Sequence, residues 1–529
     1  MENENRSLWR GALLLTAAGL IVKILSAVYR IPYQNIAGDL GFYVFQQAYP
    51  FYAIAAAIAF TGYPMAFSRI VSVQKGSANE RDVIATSFWS VCFLGAATFG
   101  VLYGSAPLLA RWMGDEHLAS PLRAISFLFL IIPFTAFYRG YFQGMGEMTS
   151  TAVTQILEQV VRVSGILIAS YLLVSSGSTP YETGTGALAG SLAGAAISAI
   201  LLTRYFQKDR RHQLIRSFTY SFVTLKELLR GSIYLSLSAM VLVLMQMVDA
   251  FSFVNMLTDN GWNELAAREM KGIFDRGQPL VQLGTVLAAG LALALVPEVS
   301  RLHAAGEREN VKGLSRLSLK ITMAVGAAAA CGIAVIIEPL NSMLFENSDG
   351  SQELAVMAGA TLFGSIIFTA TGLMQGLGLY RSAGFAVLVG VLLKAALNVW
   401  LIPEWGMMGA SAATVFATAA TAVIQLILLQ RKTGLFSNGS WISDMLKLGV
   451  SLLVMMIAAA LVKDGLLLIA DEGNRLAAAA IAVLASLAGA FTFFAVIYGT
   501  RFLQKENLEP VLDAFPKMRK AEALWRKGD

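Results

Sequence analysis

Apolar stretches of roughly 20 residues, each bounded by charges, glycine or proline, follow one another along almost the whole chain. Each is long enough to cross the bilayer as a helix, and none shows the short alternating pattern of barrel strands. Fourteen such windows can be drawn, at 8–31, 42–73, 83–110, 121–142, 150–174, 184–206, 230–256, 271–301, 314–337, 353–378, 382–402, 407–430, 442–463 and 475–499. An even count puts both ends of the chain on one side. The pattern therefore predicts an all-α polytopic membrane protein with about 14 transmembrane helices.

The basic residues orient this arrangement. With the N-terminus on the cytoplasmic side, 29 of the 40 Lys and Arg fall inside, five fall within spans, and only Arg111, Arg123, Arg268, Lys271, Lys463 and Arg475 fall outside. Cytoplasmic loops are enriched in this way. The connection Gln207 to Leu229 alone carries Lys208, Arg210, Arg211, Arg216 and Lys226, whereas the outer connections 175–183 and 338–353 carry none. Both termini are thus expected in the cytoplasm. Arg6 and Arg10 ahead of Leu13-Leu14-Leu15 imitate a signal peptide, but the run continues to Tyr29 without a clear cleavage site, which predicts a retained first helix. Beyond the last span, Leu508, Val511, Leu512, Phe515, Met518, Leu524 and Trp525 recur at helical spacing between Lys517, Arg519, Lys520, Arg526 and Lys527. That spacing predicts an amphipathic helix on the inner leaflet.

Composition narrows the function classes. The chain is 56% hydrophobic and 14% charged, with a mean hydropathy of +0.62, which excludes a soluble globule. The net charge of +6 does not imply nucleic acid, because the Lys and Arg flank apolar runs instead of forming a basic face. Cys92 and Cys331, the only cysteines, lie inside apolar segments and offer neither a disulfide framework nor a metal cluster. His117, His212 and His303 lie between spans, and no HExxH, P-loop or GxSxG followed by His occurs. A polytopic glycosyl- or acyltransferase would need a sizeable extramembrane domain or a catalytic group at the interface, yet the longest internal connection is the 23 residues from Gln207 to Leu229. The chain is therefore not expected to be an enzyme, and no catalytic residue, metal ligand or cofactor is assigned, apart from a coupling cation, Na+ or H+.

An internal repeat organises the spans. Gln143-Gly144-Met145-Gly146 closes the fourth and Gln375-Gly376-Leu377-Gly378 the tenth, an offset of 232 residues that also carries Arg162 onto Lys394. Pro64 to Ser68-Arg69 matches Pro297 to Ser300-Arg301 with a one-residue difference in spacing. These matches predict an N-terminal six-helix lobe at 1–206, a cytoplasmic connecting loop at 207–229, a C-terminal six-helix lobe at 230–430, two further helices at 431–499 and an amphipathic tail at 500–529. Repeats of this kind are a common basis of secondary transporters.

Ionisable residues within the spans are costly and so point to function or to partners. The candidates are Lys23, Arg30, Glu158, Arg162, Asp249, Asp275, Arg276 and Lys394. Lys23 and Arg30 lie two helical turns apart and form a cationic wall, although Arg30, close to Pro32, can also snorkel to the headgroups. Glu158 and Arg162 have the spacing of an intrahelical ion pair. Asp275 and Arg276 are adjacent and point apart, so one can pair across the bundle while the other faces a ligand. Asp249 has no base within a turn, which makes it either an ion-coupling site or the partner of a base on another helix. The aromatic run Phe42-Tyr43, Phe45, Tyr49-Pro50-Phe51-Tyr52 fits an interfacial belt better than a sugar-stacking surface.

Arg30 with Pro32, Gly38 to Gly41, Tyr49-Pro50, Gly62-Tyr63-Pro64-Met65-Ala66-Phe67-Ser68-Arg69, Asp249, and Pro297 with Ser300 resemble the polysaccharide exporters of the multidrug/oligosaccharidyl-lipid/polysaccharide superfamily. The nearest group is the stage V sporulation protein B type, related to the lipid II flippases. The resemblance implies a multi-pass carrier of the bacterial inner membrane, V-shaped between two lobes, that moves an undecaprenyl-diphosphate-linked saccharide outward. It implies as partners that lipid-linked saccharide and membrane lipids, with the chain acting as a monomer. It also makes Lys23, Arg30, Asp275 and Arg276 the counterparts of residues that matter in lipid II flippases. One departure stands in the second span, where Arg69 sits at the cytoplasmic end and no base occupies the middle. A multidrug/cation antiporter of the same superfamily is the alternative; it would favour acidic residues, whereas Lys23, Arg30, Arg162, Arg276 and Lys394 outnumber Glu158, Asp249 and Asp275.

Overall fold

The computed structural model describes residues 2–74, 76–77, 79–209, 221–436, 440–469 and 474–502. The amphipathic helix expected after residue 500, and the loop bases Arg210, Arg211 and Arg216, lie outside the described residues. The described chain is helical, in the order α1 (Glu2–Val28), α2 (Arg30–Ala57), a π-helical turn (Ile58–Gly62), α3 (Tyr63–Gln74), α4 (Glu80–Trp112), α5 (Ala119–Ser126), α6 (Leu128–Gly144), α7 (Thr149–Ser175), α8 (Pro180–Gln207), α9 (Phe222–Ala239) and α10 (Val241–Asp259). It continues with α11 (Glu264–Asp275), α12 (Gly277–Ala304), α13 (Arg308–Val335), α14 (Ile337–Phe345), α15 (Ser351–Gly376), α16 (Tyr380–Thr433), α17 (Ser440–Leu467) and α18 (Arg475–Gly499).

Eleven helices among the described residues are long and apolar enough to cross a membrane, or twelve if one bent pair counts as a single span. This is fewer than the fourteen windows of the sequence, and two mergers show why. The second window and the larger part of the first fall in one 58-residue helical run, Ala17–Gln74, and windows 382–402 and 407–430 both fall in the 54-residue α16. A straight helix of that length would measure roughly 80 Å, more than twice the hydrocarbon layer. Each run is instead broken by a glycine in a conformation that other residues resist: Gly38 (φ 69°, ψ 179°) and Gly406 (φ 53°, ψ −129°). Hydropathy registers the apolar residues on either side of such a break; the helical backbone runs through it.

Two compact units emerge: residues 1–279 with 391–413, and residues 280–390 with 414–529. In the first, α7 and α8 pack through glycine. Gly186, Gly190 and Gly194 recur every fourth residue on α8, and a methyl on Gly190 would lie 2.4 Å from the Ile166 nitrogen and 2.7 Å from the Gly165 carbonyl carbon. Without a hydrophobic drive between helices in lipid, such close backbone approach is what holds a pair together. Gly190→Leu is therefore expected to abolish recovery of monodisperse protein in detergent size-exclusion chromatography, because backbone atoms cannot yield as a flexible side chain would. Recovery equal to the parent would show that this contact is dispensable.

The aromatic run of α2 is core, not belt. Phe42, Tyr43 and Phe45 are fully buried and Tyr49 and Tyr52 nearly so. Tyr33 packs 4.8 Å from Phe45, and Gly184 of α8 leaves room for Val44. The break at Gly38 accounts for the difference, because it redirects α2 from the helix end into the bundle. Lower down, the π-helical turn leads into α3, whose Phe67 stacks on Phe137 of α6 at 5.0 Å.

The second unit is tied by small residues and one buried ion pair. Thr322 of α13 shares a hydrogen bond of 2.8 Å with Thr369 of α15, and Lys320 of α13 pairs with Asp444 of α17, both buried. Ala324 of α13, Leu448 and Met455 of α17, Phe493 of α18 and Phe502 form one buried apolar cluster. The sequence repeat has matching local geometry. Gly146 and Gly378, both at positive φ, end α6 and α15 with the same hydrogen-bond pattern, Gly146 N to Gln143 O and Gly378 N to Gln375 O at 3.0 Å each. Two residues before them, Gly144 lies against Ser68 and Val71, and Gly376 against Val296 and Val299.

Candidate functional site

The intramembrane charges of the first unit gather where α2, α10, α11 and the middle of α16 meet. Asn263 starts α11 by accepting from the Leu265 and Ala266 backbone N–H groups, and the helix closes at Asp275 with Arg276 as its cap. Gly272 on α11 faces α2 so closely that a methyl there would lie 2.2 Å from the Asp39 carbonyl oxygen. That approach, with the turn at Gly38, delivers Asp39 to Arg276. The guanidinium donates from Nε at 3.0 Å and from Nη2 at 2.7 Å to both carboxylate oxygens, and Gln34 adds a bond of 2.9 Å. Arg276 is fully buried.

The other charges are paired one by one. Lys271 donates to both oxygens of Asp275 at 2.6 Å, and both residues are buried. Lys394 contacts Asp249 at 2.8 Å and donates to the Ala410 carbonyl at 3.0 Å, and Asn398 donates to Asp249 at 2.8 Å. Asp249 is thus the partner of a base on another helix, the second of the two roles open to it from sequence. The pairs lie close enough for their charges to interact, Asp249 and Arg30 with Asp275, and Lys271 with Lys394. Of Arg276 and Asp275, neither is left over, since each has its own partner.

Arg30 is different. It opens α2, is 1% exposed and stacks 4.1 Å from the centre of the Tyr49 ring. Its three guanidinium nitrogens have no hydrogen-bond partner among the described residues. It does not snorkel, because the junction at Tyr29 carries it into the aromatic core. Lys23, expected to share its wall, is half-buried on α1. Among the four bases Arg30, Lys271, Arg276 and Lys394, three are matched by Asp39, Asp249 and Asp275, and Arg30 is the unmatched charge.

Arg162 belongs to a neighbouring network, and the intrahelical pair with Glu158 does not form. Glu158 instead accepts from Arg139 of α6 at 2.6 Å, while Arg162 donates to the Tyr29 hydroxyl at 2.8 Å and to Gln159 at 3.2 Å and lies 4.0 Å above Tyr52. The glycine face of α8 explains this choice: Gly194 abuts the Glu158 carbonyl and the Arg162 Cβ, so the two side chains diverge around it. Three charges that matter to these networks do not stand out in the sequence. Asp39 lies in the polar gap between the first two windows, Lys271 counts among the outer bases, and Arg139 sits close to the inner end of its window. No spacing rule marks Asp39 or Arg139, since each has its partner at a distance in sequence.

The family model for polysaccharide biosynthesis proteins matches residues 8–303. An uncharacterized membrane protein, YabM of Bacillus subtilis (strain 168), is 38% identical over 429 residues, covering 80% of each chain. The lipid II flippase MurJ of the same organism is 24% identical over 528 residues, covering 94% of this chain and 96% of the relative. A solved lipid II flippase MurJ in its inward closed conformation superposes with a TM-score of 0.68 over 92% of this chain and 100% of the other, at 15% identity, which speaks for the fold. The chain belongs to the polysaccharide biosynthesis protein family.

Proposed function

We propose that the protein carries an undecaprenyl-diphosphate-linked saccharide, lipid II or a related cell-wall or polysaccharide precursor, from the inner to the outer leaflet of the bacterial plasma membrane by alternating access. Both termini are placed in the cytoplasm, on the strength of the basic inner loops. The observation that carries the reading is the unmatched Arg30 guanidinium. A desolvated base without a hydrogen-bonded acceptor is expensive, and a diphosphate is the anion whose oxygens suit a planar fork of donors. Its arrival would supply the missing charge. Asp275 and Arg276 then set the field beside that anion, Lys23 is the point charge that meets it on approach, and Arg162 and Lys394 act as structural bases at the edges. A drug antiporter would need the opposite surplus.

The test is reconstitution. Vesicles holding the purified protein are expected to move fluorescent lipid II, or an undecaprenyl-diphosphate-linked oligosaccharide, between leaflets, and the gene should rescue cells depleted of their own lipid II flippase. Export of an organic cation with no movement of either lipid would replace this reading with the antiporter.

A further inference from the structure

The surroundings of Lys394 have the donor chemistry of an alkali-cation site. The break at Gly406 folds α16 so tightly that a methyl on Gly409 would lie 2.1 Å from the Leu401 carbonyl oxygen. Lys394 and Asn398 before the break, and Ala410 after it, thereby converge on Asp249 of α10. The ammonium is held by a carboxylate oxygen at 2.8 Å and a backbone carbonyl at 3.0 Å. The Asn398 amide bridges Asp249 and the Ser252 hydroxyl at 2.8 Å each. Lys394, Asp249 and Asn398 are all at most 1% exposed. Two buried oxygens, Asp249 Oδ2 and Asn398 Oδ1, have no hydrogen-bond partner among the described residues, so the site holds more acceptors than the described donors use. Carboxylate and carbonyl oxygens converging at a helix break are what membrane carriers offer to Na+. Here a covalently tethered cation stands among them.

We propose that Lys394 is a built-in substitute for a coupling cation: its ammonium fills an oxygen-lined site at Asp249, and the carrier neither binds nor requires Na+ there. A single positive charge neutralises Asp249, and a second cation beside it would meet both the occupied volume and the repulsion of the ammonium. The charge cannot leave the site as a free ion would. Movement of this helix pair is therefore uncoupled from the Na+ gradient. The inference concerns the cation and stands apart from the identity of the saccharide.

The experiment is cation binding to purified protein in detergent, followed by radioactive 22Na+ and by thermal unfolding in NaCl against choline chloride at equal ionic strength. The parent is expected to bind no 22Na+ saturably and to unfold at the same temperature in both salts. Lys394→Ala, which bares the oxygens, is expected to gain saturable binding and an Na+-dependent rise of several degrees, and Lys394→Ala/Asp249→Asn to lose both. Saturable Na+ binding by the parent that disappears in Asp249→Asn would overturn the proposal, as would a folded Lys394→Ala that ignores Na+. If Lys394→Ala fails to fold in either salt, the parent decides alone: no saturable binding upholds the proposal and saturable binding refutes it. None of these readouts uses lipid transport, so a failed flipping assay would leave the cation-binding result as it stands.

Discussion

Arg30→Gln is expected to stop transport while leaving the protein folded and more resistant to heat than the parent. The two effects share one cause. In the resting protein the guanidinium is buried without a hydrogen-bond partner among the described residues, and a desolvated charge of that kind costs several kcal/mol even after relaxation. The stack on Tyr49, worth about 1–2 kcal/mol, offsets only part of this. A neutral side chain of similar reach removes the penalty. It also removes the donor fork, and losing one partner of a buried charged contact weakens binding by about 2–5 kcal/mol, roughly 30-fold to several thousand-fold. Arg30→Lys should keep part of the transport, because the charge remains but the fork does not. The measurements are thermal unfolding in detergent and lipid movement in vesicles at matched protein density. An Arg30→Gln variant that transports like the parent would remove Arg30 from the anion site.

Asp39→Ala is expected to destabilise the protein by about 3 kcal/mol, near the lower end of the cost of breaking a buried ion pair, because the Asp39 side chain retains 22% exposure. The loss comes from Arg276, which is fully buried and would lose its bonds to the Asp39 carboxylate. Removing the buried base as well should recover part of the stability, so Asp39→Ala/Arg276→Met should be more stable than Asp39→Ala alone. Denaturation of the four proteins in a double-variant cycle measures the coupling. Additive losses would mean that the two residues do not depend on each other.

The membrane class and the helical architecture were legible from hydropathy because the bilayer demands long apolar helices and tolerates little else. Two glycines paired by the sequence repeat share a local reason, since Gly144 and Gly376 each lie close against a neighbouring helix. Arg30, Asp249, Asp275, Arg276 and Lys394 were found through the cost of charge in lipid. Their partners were not. Asp39 with Arg276, Arg139 with Glu158 and Lys394 with Asp249 join distant parts of the chain, and only the glycine-made breaks at Gly38 and Gly406 bring two of these pairs within reach. The aromatic run of α2 misled for a related reason, since its residue types suit both a headgroup belt and a core.

The π-helical turn at Ile58–Gly62 acts as a phase shifter. One surplus residue in an otherwise regular helix offsets everything after it by about 100° around the axis. Ahead of the turn, α2 directs Phe45 and Tyr49 toward Tyr29 and Arg30; after it, Tyr63 reaches the Ser87 carbonyl at 2.7 Å and Phe67 meets Phe137. A continuous α-helix could align one of these faces with its neighbours but not both. The same turn brings the Ala59 carbonyl within 3.5 Å of Arg139, the base that holds Glu158. A single inserted residue thus sets the angular bearing of one half of the helix against the other: were all the residues kept and Ile58–Gly62 closed as regular α-helix, the lower aromatic face would rotate off its seat without a single side chain in it being altered.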